Sequence, residues 1–267
     1  MKKGFIDPWG SELPADYLKL IKEFGLEKFN LTSFPQPNKI MRRGVVFAGR
    51  GLDVITRAIK EKKKFYVLTG MMPSSEKIHL GNKLVIDNVK YFQEHGAETY
   101  VLIADLEAAA TRNIDLDEAR KRALNYFIPA YIALGLNPKK TKFYFQSENK
   151  KVISLAFELS NKATLNEYRS IYGNPTPSRI MSSILQVADI LHPQLKEEMP
   201  GIIPVGIDQD PHIRLARDIA SRAKKYKFFL PSSIYHKYTP ALDGSLKMSK
   251  SKGNYIELPD TDENIKQ

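Results

Sequence analysis

The chain has 267 residues, 42% of them hydrophobic and 10% aromatic, which is typical of a folded protein with a substantial core. It contains no cysteine, so disulfides, thiolate metal sites and cysteine nucleophiles are excluded. The formal net charge of +11 favours polyanionic partners such as RNA, although ordinary solubility explains it equally well. Because no apolar run approaches the roughly 20 residues that span a bilayer, and the first residues lack a signal-peptide core, we expect a cytoplasmic protein without membrane association.

Residues 1–60 are expected to form an N-terminal extension. The pattern predicts a helix over residues 15–24, then a polar stretch containing Pro35 and Pro37. A strand should follow over residues 42–47, beginning at a basic turn.

From residue 61 onwards we expect one catalytic domain, in which short apolar runs alternate with helical spacing. The predicted strands are 65–69, 99–104, 142–145, 202–206 and 228–230, and the predicted helices are 79–94, 115–134 and 211–223. This alternation predicts an α/β fold with a Rossmann-like, doubly wound parallel sheet. Residues 150–200 are too long for a simple crossover, so we expect them to form an inserted helical segment.

Two polar turns follow the first and fourth predicted strands, at residues 73–82 and 208–210. In doubly wound sheets, ligands bind at the carboxyl ends of the strands where the winding reverses. The fold and the polar turns therefore predict a ligand site at the same place.

The segment Pro73–Asn82 has the features of a phosphate-binding turn. The helix that begins near His79 would offer unpaired backbone N–H groups and a positive dipole end, and His79 and Asn82 would add side-chain donors. Gly81 has no side chain, so an adenine ring could lie against its backbone.

The segment Lys247–Asn254 reads Lys-Met-Ser-Lys-Ser-Lys-Gly-Asn and follows the turn signal Asp243-Gly244. Its lysines could neutralise the charge that develops on a leaving pyrophosphate. A loop of this composition is able to fold over a triphosphate.

Together, in this order, the two segments resemble the HIGH and KMSKS signatures of class I aminoacyl-tRNA synthetases. Over nearly the whole chain the sequence is similar to tryptophanyl-tRNA synthetases of the archaeal and eukaryotic type, in the tyrosyl/tryptophanyl subclass. Besides these signatures, the matching segments are residues 7–9, 42–44, 186–191 and 205–212.

The resemblance implies that tryptophan reacts with Mg-ATP to form tryptophanyl-adenylate, and that the tryptophanyl group then passes to the 3′ end of tRNA(Trp). It implies no covalent enzyme intermediate, so catalysis would consist of positioning and charge stabilisation. Relatives of this subclass are homodimers, with the inserted segment at the interface. The five histidines are scattered without ligand spacing, so we expect no protein metal site and magnesium that arrives with ATP.

The resemblance also assigns residues. Gln186 and Gln209 match positions that hold the amino group and carboxylate of the amino acid, and Glu107 matches a polar position beside the substrate. Asp208 matches a supporting or ribose-binding position. The ATP-handling positions are Pro73, Ser74, His79, Gly81, Asn82, Lys247, Met248, Ser249 and Lys250, among which His79, Lys247 and Lys250 are the expected catalytic residues.

The chain departs from its relatives around the indole. Archaeal and eukaryotic relatives usually carry a tyrosine and a glutamine that reach the indole N–H, where this chain has Leu68 and Leu102. Asp189 aligns with the aspartate that accepts the indole N–H in bacterial relatives, so we expect Asp189 to bind it here. Tyrosyl relatives also carry a tyrosine at the Leu68 position, so leucine there favours tryptophan, since a buried hydroxyl without a partner is costly.

Three alternatives stay open at this stage: a tyrosyl-tRNA synthetase, another adenylyltransferase with a similar turn, and a synthetase-like paralogue that binds RNA or protein without catalysis. The chain stops soon after the second signature, where relatives continue with an anticodon-binding domain. We therefore expect that domain to be absent from this chain, which puts tRNA selection in doubt but leaves amino-acid activation unaffected.

Overall fold

The computed structural model describes residues 16–239 and 256–258. In chain order the helices are α1 Tyr17–Phe24, α2 Lys39–Arg42, α3 Leu52–Lys60, α4 Leu80–Glu94, α5 Asp105–Arg112, α6 Leu116–Arg122, α7 Ile128–Ala133, α8 Lys150–Leu159, α9 Leu165–Tyr172, α10 Pro177–Leu191 and α11 Asp210–Arg222. The strands are β1 Glu27–Lys28, β2 Val46–Arg50, β3 Tyr66–Met71, β4 Ile78–His79, β5 Glu98–Ile103, β6 Thr141–Phe145, β7 Gly201–Gly206, β8 Ser232–His236 and β9 Glu257–Leu258.

A seven-stranded sheet organises the chain, in the order β1-β2-β8-β7-β3-β5-β6. The five strands from β8 to β6 are parallel, whereas β2 pairs antiparallel with β8 and β1 antiparallel with β2. The Rossmann-like α/β fold is therefore confirmed. Two strands of the N-terminal 60 residues complete the antiparallel edge of this sheet.

The winding of the sheet reverses between β3 and β7, which are hydrogen-bonded neighbours. From β3 the chain continues outward to β5 and β6, whereas from β7 it continues in the opposite direction to β8. The two polar turns predicted to meet follow these two strands. The sheet therefore brings them to one edge, where a doubly wound fold leaves a crevice.

Buried side chains form a separate apolar layer on each face of the sheet. One layer contains Ile55 of α3 and Phe92 of α4, and the other contains Leu155 of α8, Ile190 of α10 and Ile219 of α11. Each strand of the centre therefore lies between two layers of helices, as its near-continuous apolar sequence requires.

The predicted helix over residues 115–134 is interrupted. A π-helical turn over residues 123–127 separates α6 from α7. Pro129 has no N–H with which to bond the carbonyl one turn earlier, and a wider turn accommodates the lost bond. The helix then ends before Gly135, which has a φ of +100°.

The fifth predicted strand is wrong: the strand is Ser232–His236, not residues 228–230. Phe229 and Leu230 are 41% and 43% exposed. The backbone N–H and C=O of Phe229 bond to the side chain of Gln194 instead of a neighbouring strand. Pro231 then separates this segment from the strand.

The segment over residues 150–200 is helical, as predicted, and contains α8, α9 and α10. Thr164 and Glu167 form a capping box at the start of α9, and Gly173, with a φ of +74°, ends that helix. Within the ranges that the structure describes, no helix is long and apolar enough to cross a membrane.

Candidate active site

A cavity of about 450 Å³ opens at the edge where the winding reverses. Its lining comes from the ends of β3 and β7, the first turn of α4, α5, α10 and the turn before α11. The predicted site residues that line it are Leu68, His79, Gly81, Asn82, Glu107, Gln186 and Gln209. Segments more than a hundred residues apart in sequence therefore contribute to one site.

The first wall is the N-terminus of α4, which His79 and Asn82 cap reciprocally. The His79 N–H donates to Asn82 Oδ1 over 3.0 Å, and the Gly81 N–H donates to His79 Nδ1 over 3.0 Å. Since Nδ1 accepts a hydrogen bond, a neutral His79 ring carries its proton on Nε2. The cap holds the imidazole against the helix end, where the dipole favours an anion.

Gly81 is required by this cap. A Cβ at residue 81 would lie 2.7 Å from Cε1 of His79 and 2.8 Å from its Nδ1. Any side chain would therefore displace the imidazole from the helix end.

The opposite wall carries the polar groups expected at the amino acid. Gln186 Nε2 donates to Gln209 Oε1 over 3.5 Å, which joins α10 to the turn that follows β7. Glu107 on α5 lies beside them in the same cavity. Burial raises the pKa of Glu107 to about 7, which the Arg112 charge opposes only partly.

A buried charge cluster supports the turn that carries Gln209. Asp210 is fully buried and accepts hydrogen bonds from Arg50 Nε over 2.7 Å and Arg50 Nη2 over 3.0 Å. Tyr235 Oη donates to the same carboxylate over 2.5 Å. Arg50 belongs to β2, so the N-terminal part of the chain fixes a residue adjacent to the site.

Asp189 lies behind the cavity wall. It is fully buried, and its two carboxylate oxygens accept hydrogen bonds from Tyr144 Oη over 2.8 Å and from Gln146 Nε2 over 2.6 Å. Burial raises the pKa of Asp189 to about 7, and the two hydrogen bonds oppose this shift. Gln146 and Ile190 line the cavity at this point, whereas Asp189 does not. That Asp189 accepts the indole N–H of tryptophan stays a prediction.

Other predicted residues lie elsewhere. Pro73 is buried and Ser74 is exposed, and neither lines the cavity. Lys247, Met248, Ser249 and Lys250 are outside the described residues, as are residues 7–9. The two-residue strand β9 nevertheless pairs with β4 next to His79, with Glu257 opposite His79 in the register.

The polar cavity residues that sequence reasoning missed include Gln146, His212 and His236. Gln146 directly follows β6, whose carboxyl end meets the site edge, and that position was an available signal. Burial lowers the pKa of both His212 and His236 to about 4, so both rings are neutral at physiological pH. The Nδ1 atom of His236 is buried without a hydrogen-bond partner.

No group of three or more histidine or carboxylate side chains that could hold a metal ion occurs within residues 16–239 and 256–258.

Comparison with known proteins agrees with the geometry. A profile of the family described as tRNA synthetases class I (W and Y) matches residues 60–267. The tryptophan–tRNA ligase of Methanocaldococcus jannaschii is 42% identical over 278 aligned residues, which cover 100% of this chain and 75% of the relative. That of Aeropyrum pernix is 43% identical, covering 92% of this chain and 69% of the relative.

Comparison with solved structures indicates the same family. The crystal structure of tryptophanyl-tRNA synthetase from Aeropyrum pernix superposes with a TM-score of 0.86 at 42% identity, covering 97% of this chain and 73% of that one. The Encephalitozoon cuniculi tryptophanyl-tRNA synthetase bound to tryptophan has a TM-score of 0.81 at 27% identity, with 94% and 76% covered. The family predicted from the two signatures is thus confirmed, and the chain belongs to the class I tRNA synthetases of the tryptophan and tyrosine group.

Proposed function

We propose that the chain activates tryptophan with ATP to form tryptophanyl-adenylate and transfers the tryptophanyl group to tRNA(Trp). The observation that carries this proposal is one cavity in which the capped end of α4 faces Gln186, Gln209 and Glu107. A phosphate-binding element and an amino-acid-binding element are then within reach of one another. The relatives named as tryptophan–tRNA ligases support the same reaction.

The chemistry follows from this arrangement. The tryptophan carboxylate attacks the α-phosphate of ATP, a phosphorus–oxygen bond forms, and pyrophosphate leaves in line. His79 binds phosphate oxygens at the positive end of the α4 dipole, while Lys247 and Lys250 neutralise the leaving pyrophosphate. In the second step the terminal ribose hydroxyl of the tRNA attacks the acyl carbon, and AMP leaves. Magnesium enters bound to ATP.

The amino-acid end of the cavity favours tryptophan over tyrosine. Leu68 and Leu102 line it and are buried, so neither of these two side chains offers a partner to a phenolic hydroxyl. Glu107 can bind the ammonium group, because its carboxylate has no ion-pair partner within 4.0 Å among the described residues. Gln186 and Gln209 would orient the carboxylate and ammonium toward the α-phosphate.

The working form is a cytoplasmic homodimer that pairs through residues 150–200. Large apolar side chains of α8 and α10 support this assembly, since Phe157 is 83% exposed and Ile153 and Met181 are also exposed. We assign residues 1–60 to an N-terminal extension and residues 61–267 to the catalytic domain. Strands β1 and β2 of the extension join the sheet of that domain. Analytical ultracentrifugation should show a dimer, and a monomer at micromolar concentration would contradict it.

The decisive measurement is ATP–pyrophosphate exchange with purified protein, comparing tryptophan, tyrosine and no amino acid. We expect exchange with tryptophan alone. Exchange with tyrosine would reverse the substrate assignment but keep the mechanism. No exchange from folded protein would favour the non-catalytic paralogue. Charging of tRNA(Trp) transcript, measured separately, tests the transfer step.

A further inference from the structure

Gln146 has an unusual hydrogen-bonding state for a cavity residue. It is 1% exposed, it lines the cavity, and its Oε1 atom is buried without a hydrogen-bond partner. Its Nε2 atom donates to Asp189 Oδ2 over 2.6 Å. A buried acceptor left without a partner is costly, so such an atom in a ligand cavity marks a place where a ligand donates.

The neighbours of Gln146 determine which end of its amide faces Asp189. Above its pKa of about 7 Asp189 is mainly ionised and only accepts hydrogen bonds, so it then faces the amide nitrogen. Tyr144 Oη donates to the other oxygen of Asp189 over 2.8 Å and occupies the second side of the carboxylate. Turning the amide over would place Oε1 against a carboxylate oxygen. Ionised Asp189 therefore keeps Oε1 of Gln146 on the side of the amide that faces away from the carboxylate.

Apolar side chains form part of the lining of the same cavity. Leu68, Leu102 and Ile203 lie on the same face of three adjacent strands, and Ile190 of α10 closes the cavity opposite them. An aromatic ring fits between such side chains, and the only polar atom that an indole offers is one N–H donor.

We propose that Gln146 Oε1 accepts the indole N–H of tryptophan, and that Asp189 and Tyr144 are positioning residues that hold the amide in the accepting orientation. This inference rests on the proposed function, because it takes tryptophan as the substrate. It moves the indole contact from Asp189 to Gln146, and it gives a physical reason for the replacement of the family's polar residues by Leu68 and Leu102.

The test separates the contribution of the indole N–H to substrate recognition from that of the rest of the indole ring. Benzothienylalanine carries sulfur in place of the indole N–H and has nearly the same shape. The wild-type chain should favour tryptophan over this analogue by at least about tenfold in kcat/KM for exchange, since the analogue leaves Oε1 without a donor. Gln146→Met removes the acceptor at similar volume. This variant should lower kcat/KM for tryptophan by a similar factor and leave kcat/KM for the analogue nearly unaffected. The ratio of the two values should then be close to one.

A second variant tests the positioning role. In Asp189→Asn the side chain cannot accept from both Tyr144 and Gln146, so the amide of Gln146 is free to turn and the ratio should also fall toward one. Gln194→Met is the matched control, because Gln194 is equally buried but bonds to Tyr66 and Phe229 outside the cavity. It should keep the wild-type ratio even if it lowers stability.

Calorimetric binding of both amino acids to each variant accompanies the exchange assay. Wild-type protein that binds tryptophan but does not exchange contradicts the proposed function, and its binding ratios still judge the role of Gln146. Equal losses for tryptophan and the analogue in Gln146→Met would overturn the inference, as would a wild-type ratio near one. Protein that binds neither amino acid contradicts both proposals.

Discussion

Asp210 offers the sharpest test of how the N-terminal part of the chain supports the site. Its carboxylate is fully buried and receives two hydrogen bonds from Arg50 and one from Tyr235, with Arg214 Nε at 3.1 Å as a second positive charge. Arg50 also donates to the carbonyl of Phe24 over 2.7 Å. The perturbation that isolates this cluster is Asp210→Asn, which removes the negative charge at nearly constant volume.

The expected loss of unfolding free energy in Asp210→Asn follows from the burial of Arg50. The Arg50 side chain is only 14% exposed, so without Asp210 it becomes a largely buried cation without a counter-charge. Breaking a buried pair by removing one partner costs about 3–5 kcal/mol. Because part of the guanidinium reaches solvent and the asparagine carbonyl can still accept one hydrogen bond, we expect about 3 kcal/mol, near the lower end of that range.

The assay is urea unfolding followed by circular dichroism. The urea concentration at the unfolding midpoint should fall. The slope of unfolding free energy against urea concentration should stay unchanged, since the variant alters stability rather than the surface exposed on unfolding. Asp53→Asn is the matched control, because Asp53 is 70% exposed and lies 3.7 Å from Arg57. It should change stability by less than about 0.5 kcal/mol. A loss below about 1 kcal/mol in Asp210→Asn would refute the reasoning, because it would mean that solvent already screens the pair.

Three further predictions concern the cavity. Gly81→Ala should raise the KM for ATP by about fivefold in exchange assays, because its Cβ displaces the His79 cap, whose loss is worth about 1 kcal/mol. An unchanged KM would show that the cap does not bind phosphate. Burial raises the pKa of Glu107 from an ordinary 4.5 to about 7, so the folded chain holds more protons between these values and loses stability as pH rises through them. Glu107→Gln should reduce that loss in unfolding curves taken from pH 4.5 to 8, and an identical pH dependence would contradict the shift. Asp189→Ala should raise the KM for tryptophan far more than the KM for ATP, and equal changes would remove Asp189 from the amino-acid end of the site.

Much of the fold follows from local pattern. The apolar runs at β3, β5, β6 and β7 and the helical spacing of α4 and α11 predict elements of the right type, because buried strands and amphipathic helices each impose their own periodicity. The polar turns after the first and fourth predicted strands, together with the rule for ligand sites in doubly wound sheets, predict that the segments around His79 and Gln209 meet.

Other features depend on contacts that no local pattern contains. The run over residues 228–230 is apolar enough for a strand, yet Gln194 takes its backbone hydrogen bonds. The carboxylate of Asp189 matches a substrate position by alignment. Tyr144 of β6 and Gln146, which directly follows that strand, nevertheless occupy both of its oxygens.

The family, the alternation of strands and helices and the two turns that form the site could be predicted from the amino-acid sequence, because short motifs and periodic burial are local properties of a chain. Which polar atoms are satisfied inside the protein, and which remain for a ligand, depends on the folded arrangement. That division is set by hydrogen bonds between residues distant in sequence, such as Arg50 with Asp210 and Gln146 with Asp189. It is enforced by the cost of burying a polar group without a partner.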